Sequence, residues 1–249
     1  MEELVVPEES HIKTYLDMQH SQYERRASVA IVYKDQIRND AVVGSYADQL
    51  KFPYDENIFK HFSKNKKEST VLEYGCGPGR NLVRIAPDVK KVVGVDISKN
   101  NIENARMFLN LNGLDNFDLY VTTGDNIPIQ EEKFDLVFSV ICLQHICSYT
   151  IRKRILSEMS RVAAPGGMVV VQMGFNVVIP SHTHYVSYHE EQLLGIHDTN
   201  GFADGCVTND SDLTSDFCDV GLGDIKTWHT DMVLDTSHDD WIWCCGAKQ

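Results

Sequence analysis

The feature that most constrains this chain lies at residues 71–79. The short apolar run Val71-Leu72-Glu73-Tyr74 enters Gly75-Cys76-Gly77-Pro78-Gly79, and Arg80 to Ile85 follows at helical spacing through Leu82 and Ile85. Three glycines in five residues let a backbone turn sharply from a strand into a helix and approach a ligand with no Cβ in the way. The helix that follows presents free N–H groups to a polar or anionic group. The spacing is GxGxG and not the dinucleotide pattern GxGxxG, because Arg80 and Asn81 follow Gly79. A glycine turn is also a common structural device, so its surroundings must decide what it does.

Those surroundings repeat one rhythm. Lys91-Val92-Val93-Gly94-Val95-Asp96 reads as a buried strand closed by an acid. Ser98 is placed to cap a helix with Ile102, Ala105 and Leu109 on one face, ending near Gly113. Asp118–Thr122 reads as a third strand and Phe134–Val140 as a fourth. A helix marked by Ile151, Ile155, Met159 and Val162 stops before Pro165, and Met168–Met173 is the fifth strand. Strands alternating with helices in this way predict an α/β fold, a doubly wound, mostly parallel sheet with helices on both faces. From Gly174 to residue 209 the rhythm breaks. Asp210 or Ser211 then caps a short helix through Cys218, and Asp224–Val233 and Asp240–Ala247 form a hairpin of antiparallel edge strands, bringing the sheet to seven. The polar residues 1–67, with helical patterning at His11–Met18 and Asn57–Phe62 and a basic run at Lys64, Lys66 and Lys67, read as a helical extension; residues 68–249 read as the main domain.

Three chemical groups fall at the carboxyl ends of neighbouring strands, where doubly wound sheets bind ligands. Glu73 stands two residues before the first glycine. Asp96 ends the second strand, and its two oxygens suit the two hydroxyls of a ribose. Gly124-Asp125-Asn126 follows the third strand, where an adenine ring could be bounded.

On these motifs together the chain resembles the class I S-adenosylmethionine-dependent methyltransferases of the small-molecule type, over roughly residues 70–173 and the closing hairpin. Glu73 to Gly79 resembles the family's acid-x-Gly-x-Gly-x-Gly loop. Asp96 matches the ribose acid, Ile97 the residue that packs on adenine, and Asp125, with Asn126 beside it, the acid near the adenine amino group. Phe134 to Ile146, including Val140, resembles the strand and loop beside the sulfonium. Arg161 to Gly167 resembles the turn into the fifth strand, with Ala164 where lysine is common. The resemblance implies a Rossmann-like sheet, S-adenosylmethionine as methyl donor, and donor contacts from Glu73, Gly75, Cys76, Gly77, Gly79, Asp96, Ile97, Asp125, Asn126 and Val140.

It also implies transfer to an oxygen or nitrogen of a small-molecule acceptor. The protein's task is then to hold the acceptor in line, exclude water and, where needed, take a proton. His145, just past the fourth strand, is a candidate base, with a structural or substrate-packing histidine as the alternative. His182 and His184 are further candidates, lying with Tyr185, Tyr188 and His189 in the stretch 174–209, which in this family covers the acceptor. Tyr15 and Tyr23 are placed to close over the donor or to serve an ordinary helical appendage. No metal is expected: Ser139 and Val140 stand where metal-dependent members carry an acid, and Glu190 and Glu191 read as helical and solvated. An Asn-Pro-Pro-Tyr motif and a Pro-Cys nucleophile are absent, and Cys244-Cys245 beside Trp241 and Trp243 reads as strand packing. A binding protein that has lost transfer activity, and an RNA or protein methyltransferase, are the rival readings.

Charge bears on the partner. The net charge is −13, which disfavours a broad basic surface for nucleic acid. Eleven aspartates against only Lys226 and Lys248 in residues 198–249 account for nine of those charges, so the excess is local to the C-terminal fifth and weighs less against RNA than the total suggests. Seven cysteines without paired CxxC spacing suit reduced thiols in the cytoplasm. No leader pattern and no membrane-length apolar run is present in the sequence.

Overall fold

The computed structural model describes residues 7–29, 31–32, 37–38, 54–179, 185–191, 204–231 and 238–249. In chain order these form α1 (Glu9–Ala27), the two-residue strands β1 (Ile31–Val32) and β2 (Ile37–Arg38), α2 (Tyr54–Ile58), β3 (Thr70–Tyr74), α3 (Arg80–Ile85), β4 (Lys91–Asp96), α4 (Lys99–Leu111), β5 (Phe117–Val121), β6 (Phe134–Ser139) and α5 (Tyr149–Val162). There follow β7 (Ala163–Phe175), β8 (Tyr185–Ser187), β9 (Asp204–Cys206), α6 (Asp210–Asp219), β10 (Leu222–Asp231) and β11 (Asp240–Lys248).

Alternate residues of the central strands point to opposite faces of one sheet, and both faces are apolar. Leu72, Val93, Val137 and Val169 face a core shared with Ile151, Ile155 and Met159 of α5, Phe217 of α6 and Ile12 and Tyr15 of α1. Their sequence neighbours Val71, Val92, Leu136 and Val170 face a second core with Leu82 and Ile85 of α3, Ile102 and Leu109 of α4, and Tyr54 and Ile58 of α2. Helices α3, α4 and α5 connect β3 to β4, β4 to β5 and β6 to β7, and β6-β3-β4-β5 and β6-β7 pair in parallel. The full order is β10-β11-β7-β6-β3-β4-β5, with β7–β11 and β11–β10 antiparallel. This is the doubly wound, seven-stranded Rossmann-like sheet expected from the sequence.

Several boundaries differ. β7 begins at Ala163, because the backbone from Ala163 onward already pairs with Phe134 through an irregular register. The cap of α6 is Asn209, whose side chain accepts from the Ser211 amide. Glu190 and Glu191 are not helical. Glu191 bridges Ser148, and its carboxylate accepts from the Thr150 amide at 2.6 Å and the Ser148 hydroxyl at 2.7 Å, so it caps the distant helix α5. Sequence periodicity has no access to such a pairing.

α1 lies across the carboxyl ends of the strands. Glu24 accepts from Ser98 Oγ at 2.7 Å and from the Asn100 amide at 3.2 Å, Asn104 donates to the Ala27 carbonyl at 3.1 Å, and Arg154 of α5 pairs with Glu9. Among the described residues no helix is long and apolar enough to cross a membrane.

Gly94 of β4 shows how tightly α3 sits on the sheet. A Cβ there would lie 2.6 Å from Leu82 Cδ1, 2.7 Å from Leu119 Cδ2 and 2.9 Å from Cys76 Sγ. Gly94→Ala is therefore expected to cost about 1–3 kcal/mol of stability by overpacking, measured by denaturant unfolding. An unchanged midpoint would show that α3 can move away.

Candidate functional site

The loop after β3 is held by the neighbouring strand. The Gly75 and Cys76 amides both donate to the Val95 carbonyl, at 2.7 and 3.1 Å. Gly75 has φ 74°, and a side chain there would collide with that of Cys142. This position therefore needs glycine for both conformation and space. The Gly77 amide donates to Asp96 Oδ2 at 2.8 Å, while Asp96 Oδ1 accepts from the Ser98 amide at 2.8 Å and Asn101 Nδ2 at 3.2 Å. Asp96 is thus a buried carboxylate oriented by three donors.

Glu73, 1% exposed, is the second acid. Asn81 Nδ2, from the first turn of α3, donates to Glu73 Oε1 at 2.6 Å. Among the described residues Glu73 Oε2 and Asn81 Oδ1 have no hydrogen-bond partner. Burial pushes the Glu73 carboxyl up to about 8, against the lowering effects of Asn81 and Arg80 and with a further push from Asp96. Two buried acceptors without donors call for a group rich in N–H, such as an ammonium.

These groups open on one cleft that is partly open to solvent. Glu73, Gly75, Cys76, Gly77, Asp96, Ile97, Val140 and His145 of the sequence-derived candidates line it. Gly79 stands outside the lining, capping α3 against Ala105. Asp125 and Asn126 also stand outside it. Asp125 lies 3.3 Å from Arg154, and Asn126 Oδ1 accepts from Thr122 Oγ1 at 2.6 Å and the Thr123 amide at 3.2 Å, holding the turn after β5. His182 and His184 lie outside the described residues. Asn81 was missed by sequence reasoning, although an amide in the first turn after the glycine loop is a usable signal. Gln19 and Asn101 also line the cleft and carried no such signal.

A family model for a methyltransferase domain matches residues 71–167. Norajmaline N-methyltransferase of Rauvolfia serpentina is 28% identical over 170 residues, 66% of this chain and 55% of that enzyme. A ubiquinone biosynthesis O-methyltransferase of Brucella anthropi is 31% identical over 121 residues, 49% of this chain and 46% of its own. The structure of phosphoethanolamine N-methyltransferase 2 of Haemonchus contortus, in complex with S-adenosyl-L-methionine, has the same fold: TM-score 0.59 at 18% identity, over 79% of this chain and 52% of that one. Residues 71–167 thus match a methyltransferase domain, and the chain has the fold of solved methyltransferases. It spans about half the length of the curated relatives it matches.

Within this methyltransferase domain the matched residues supply the glycine loop, Glu73 and Asp96. The far end of the cleft is walled partly from outside the match. Tyr15, Gln19 and Tyr23 come from α1, facing His145, Ile146 and Ile151. Tyr15 is fully buried, its oxygen accepting from the Cys147 amide at 2.8 Å and from Gln19 Nε2 at 3.0 Å. The two tyrosines thus belong to the cleft wall and not to a detached appendage.

Glu73 has a measurable consequence for stability. The folded protein holds its proton up to about pH 8, the unfolded chain only to 4.5, so this group lowers stability as pH rises between those values. Glu73→Gln removes that loss: relative to the parent, the ligand-free variant should gain melting temperature at pH 8 and gain little at pH 4.5. Equal differences at both pH values would show that Glu73 is not raised.

Proposed function

We propose that this chain transfers a methyl group from S-adenosylmethionine to an oxygen or nitrogen of a small-molecule acceptor. The observation that carries the reading is the joining of Asp96 and the donor-poor pair Glu73 Oε2 and Asn81 Oδ1 in one buried cleft at the strand ends. Their chemistry matches a ribose at one end and an ammonium at the other. When bound, S-adenosylmethionine supplies an electrophilic methyl on a sulfonium. Asp96, pre-oriented by Gly77, Ser98 and Asn101, accepts the ribose hydroxyls. Glu73 and Asn81 accept from the ammonium, and ionisation of Glu73 accompanies that contact. Ile97 packs on the ring, and Asp125 and Asn126 shape the turn that bounds it. α1 covers the cleft and excludes water, which strengthens these contacts.

Tyr15, Tyr23, His145, Ile146 and Ile151 form the wall on which the acceptor rests, with His145 as base. His182 and His184 belong to the same proposal as acceptor-side candidates. That matched relatives include both an N- and an O-methyltransferase supports a small acceptor and leaves both atom types within the reading. A cytoplasmic setting, resting on seven cysteines left as thiols, completes it.

Calorimetry with S-adenosylhomocysteine tests the donor site. Ligand at 100 times its dissociation constant should stabilise the fold by about 2.7 kcal/mol. Asp96→Ala should weaken binding by about a hundredfold or more, since it removes two hydrogen bonds to a charged group. Unchanged affinity would overturn the ribose role. Below pH 8 the parent's affinity should fall, by up to about tenfold per pH unit, because the proton on Glu73 competes with the ammonium. Glu73→Gln should bind weakly with a flat profile. Labelled donor incubated with a metabolite extract tests transfer itself; binding without any labelled product would favour a regulatory binding protein.

A further inference from the structure

We propose that Asp204, on β9, positions His145 as the general base of the transfer, and that His238 and Asn176 hold Asp204 in turn. The inference rests on the methyl-transfer reading above and adds residues that lie outside the matched domain. His145 ends the turn Leu143–His145 after β6 and lines the cleft. Its Nδ1 lies 2.6 Å from Asp204 Oδ1. Asp204 Oδ2 lies 3.3 Å from Nε2 of His238, a side chain with no solvent exposure. His238 Nδ1 lies 2.9 Å from Asn176 Oδ1, which also accepts from the Asp239 amide at 3.3 Å.

Proton accounting settles the roles. Burial works against the charge on Asp204, yet the two imidazoles beside it hold its carboxyl below the usual carboxylate range. An ionised carboxylate only accepts, so His145 Nδ1 must donate to it, and the lone pair of the neutral ring is then on Nε2. On the far side Asn176 Oδ1 already receives the Asp239 amide, so His238 Nδ1 donates to it as well. Nε2 of His238 must also carry a proton to meet Asp204. With His145 Nδ1 and His238 Nε2 both donating, Asp204 is satisfied inside the buried cluster, as a buried carboxylate requires, and the nitrogen of His145 left to take a proton is Nε2.

The placement is built and not incidental. β9 pairs with β8, the Val207 amide donates to the Gly174 carbonyl at 3.1 Å, and the Asn176 amide donates to the Val207 carbonyl at 2.9 Å. A side chain at Gly205 would meet Arg152 Nη1 at 2.9 Å, and Arg152 itself bonds the Ile146 and Tyr188 carbonyls. His238 is seated directly on Gly174, where no Cβ would fit. Burial pushes the phenols of Tyr15, Tyr23 and Tyr74 up, and the Cys142 thiol up to about 12, so these four neighbours keep their own protons and do not compete with His145 as proton acceptor.

In the step, a lone pair of the acceptor atom forms its bond to the methyl carbon as the carbon–sulfur bond breaks. That bonding pair returns to sulfur, leaving a neutral thioether. The acceptor's O–H or N–H proton moves to His145 Nε2, where the imidazolium is held by Asp204, and leaves to water with the product.

Nitrogen-15 NMR of histidine-labelled protein, with His145→Gln assigning the resonances, tests the arrangement without any acceptor. His145 is expected as the Nδ1–H tautomer in the parent and in Asp204→Glu, and shifted toward Nε2–H in Asp204→Leu. An Nε2–H tautomer in the parent, or one tautomer in all three, overturns the proposal; the parent spectrum decides even if a variant fails to fold. S-adenosylhomocysteine binding should be unchanged in the Asp204 variants, which separates this outcome from failure of the donor reading. With an acceptor in hand, Asp204→Asn should lower kcat by about a hundredfold or more with KM nearly constant, and Asp204→Glu should restore part of it. An unchanged kcat also overturns it.

Discussion

The site depends on the parallel pairing of β3 with β4. Register places Glu73 opposite Gly94 and Tyr74 opposite Val95, so the two strands end side by side. The Val95 carbonyl then collects the Gly75 and Cys76 amides, and Asp96 collects that of Gly77. A turn that would otherwise expose several amides is bonded to the next strand, and the same bonds aim the second acid into the cleft. The two carboxylates are neighbours because the strands are, and the cost of burying them is offset by the donors on Asp96 and by the proton that Glu73 retains up to about pH 8.

On the methyl-transfer reading, the donor end and the acceptor end of the cleft are built differently. The proposed donor end is mostly local: the glycine loop, α3 and the ends of β3 and β4 lie within residues 73–101, joined by the turn after β5 and by Val140. The proposed acceptor end is assembled from pieces far apart in the chain, with Tyr15 and Tyr23 on α1, His145 after β6, and Asp204 on β9. Ion pairs and caps bind these pieces to the sheet: Glu9 with Arg154, Glu24 on Ser98 and Asn100, Glu191 on the start of α5. A scaffold of this kind lets acceptor residues change while the donor end is kept, which is why fold alone says little about the acceptor.

Much of this was legible in residue order. The apolar runs of β3, β4 and β6, the glycine loop and the acid closing β4 are short-range patterns, and periodicity reads short-range patterns well. Ser98 was identified as a cap for the same reason. Glu191 was misread because its partners, Ser148 and Thr150, lie some forty residues away. Asp204 carried no signal: it is one of many aspartates in an acidic segment, and only the packing of β9 beside the Leu143–His145 turn sets it apart.

By itself, then, the amino-acid order determined the doubly wound sheet and the two acids at its strand ends, because alternating burial and tight turns are encoded in neighbouring residues. Tertiary structure alone decided that α1 forms a wall of the cleft, that Asp125 faces Arg154, and that His145 meets Asp204 across 59 residues of chain. Such contacts arise from how elements pack once the core has formed, and no local pattern specifies them.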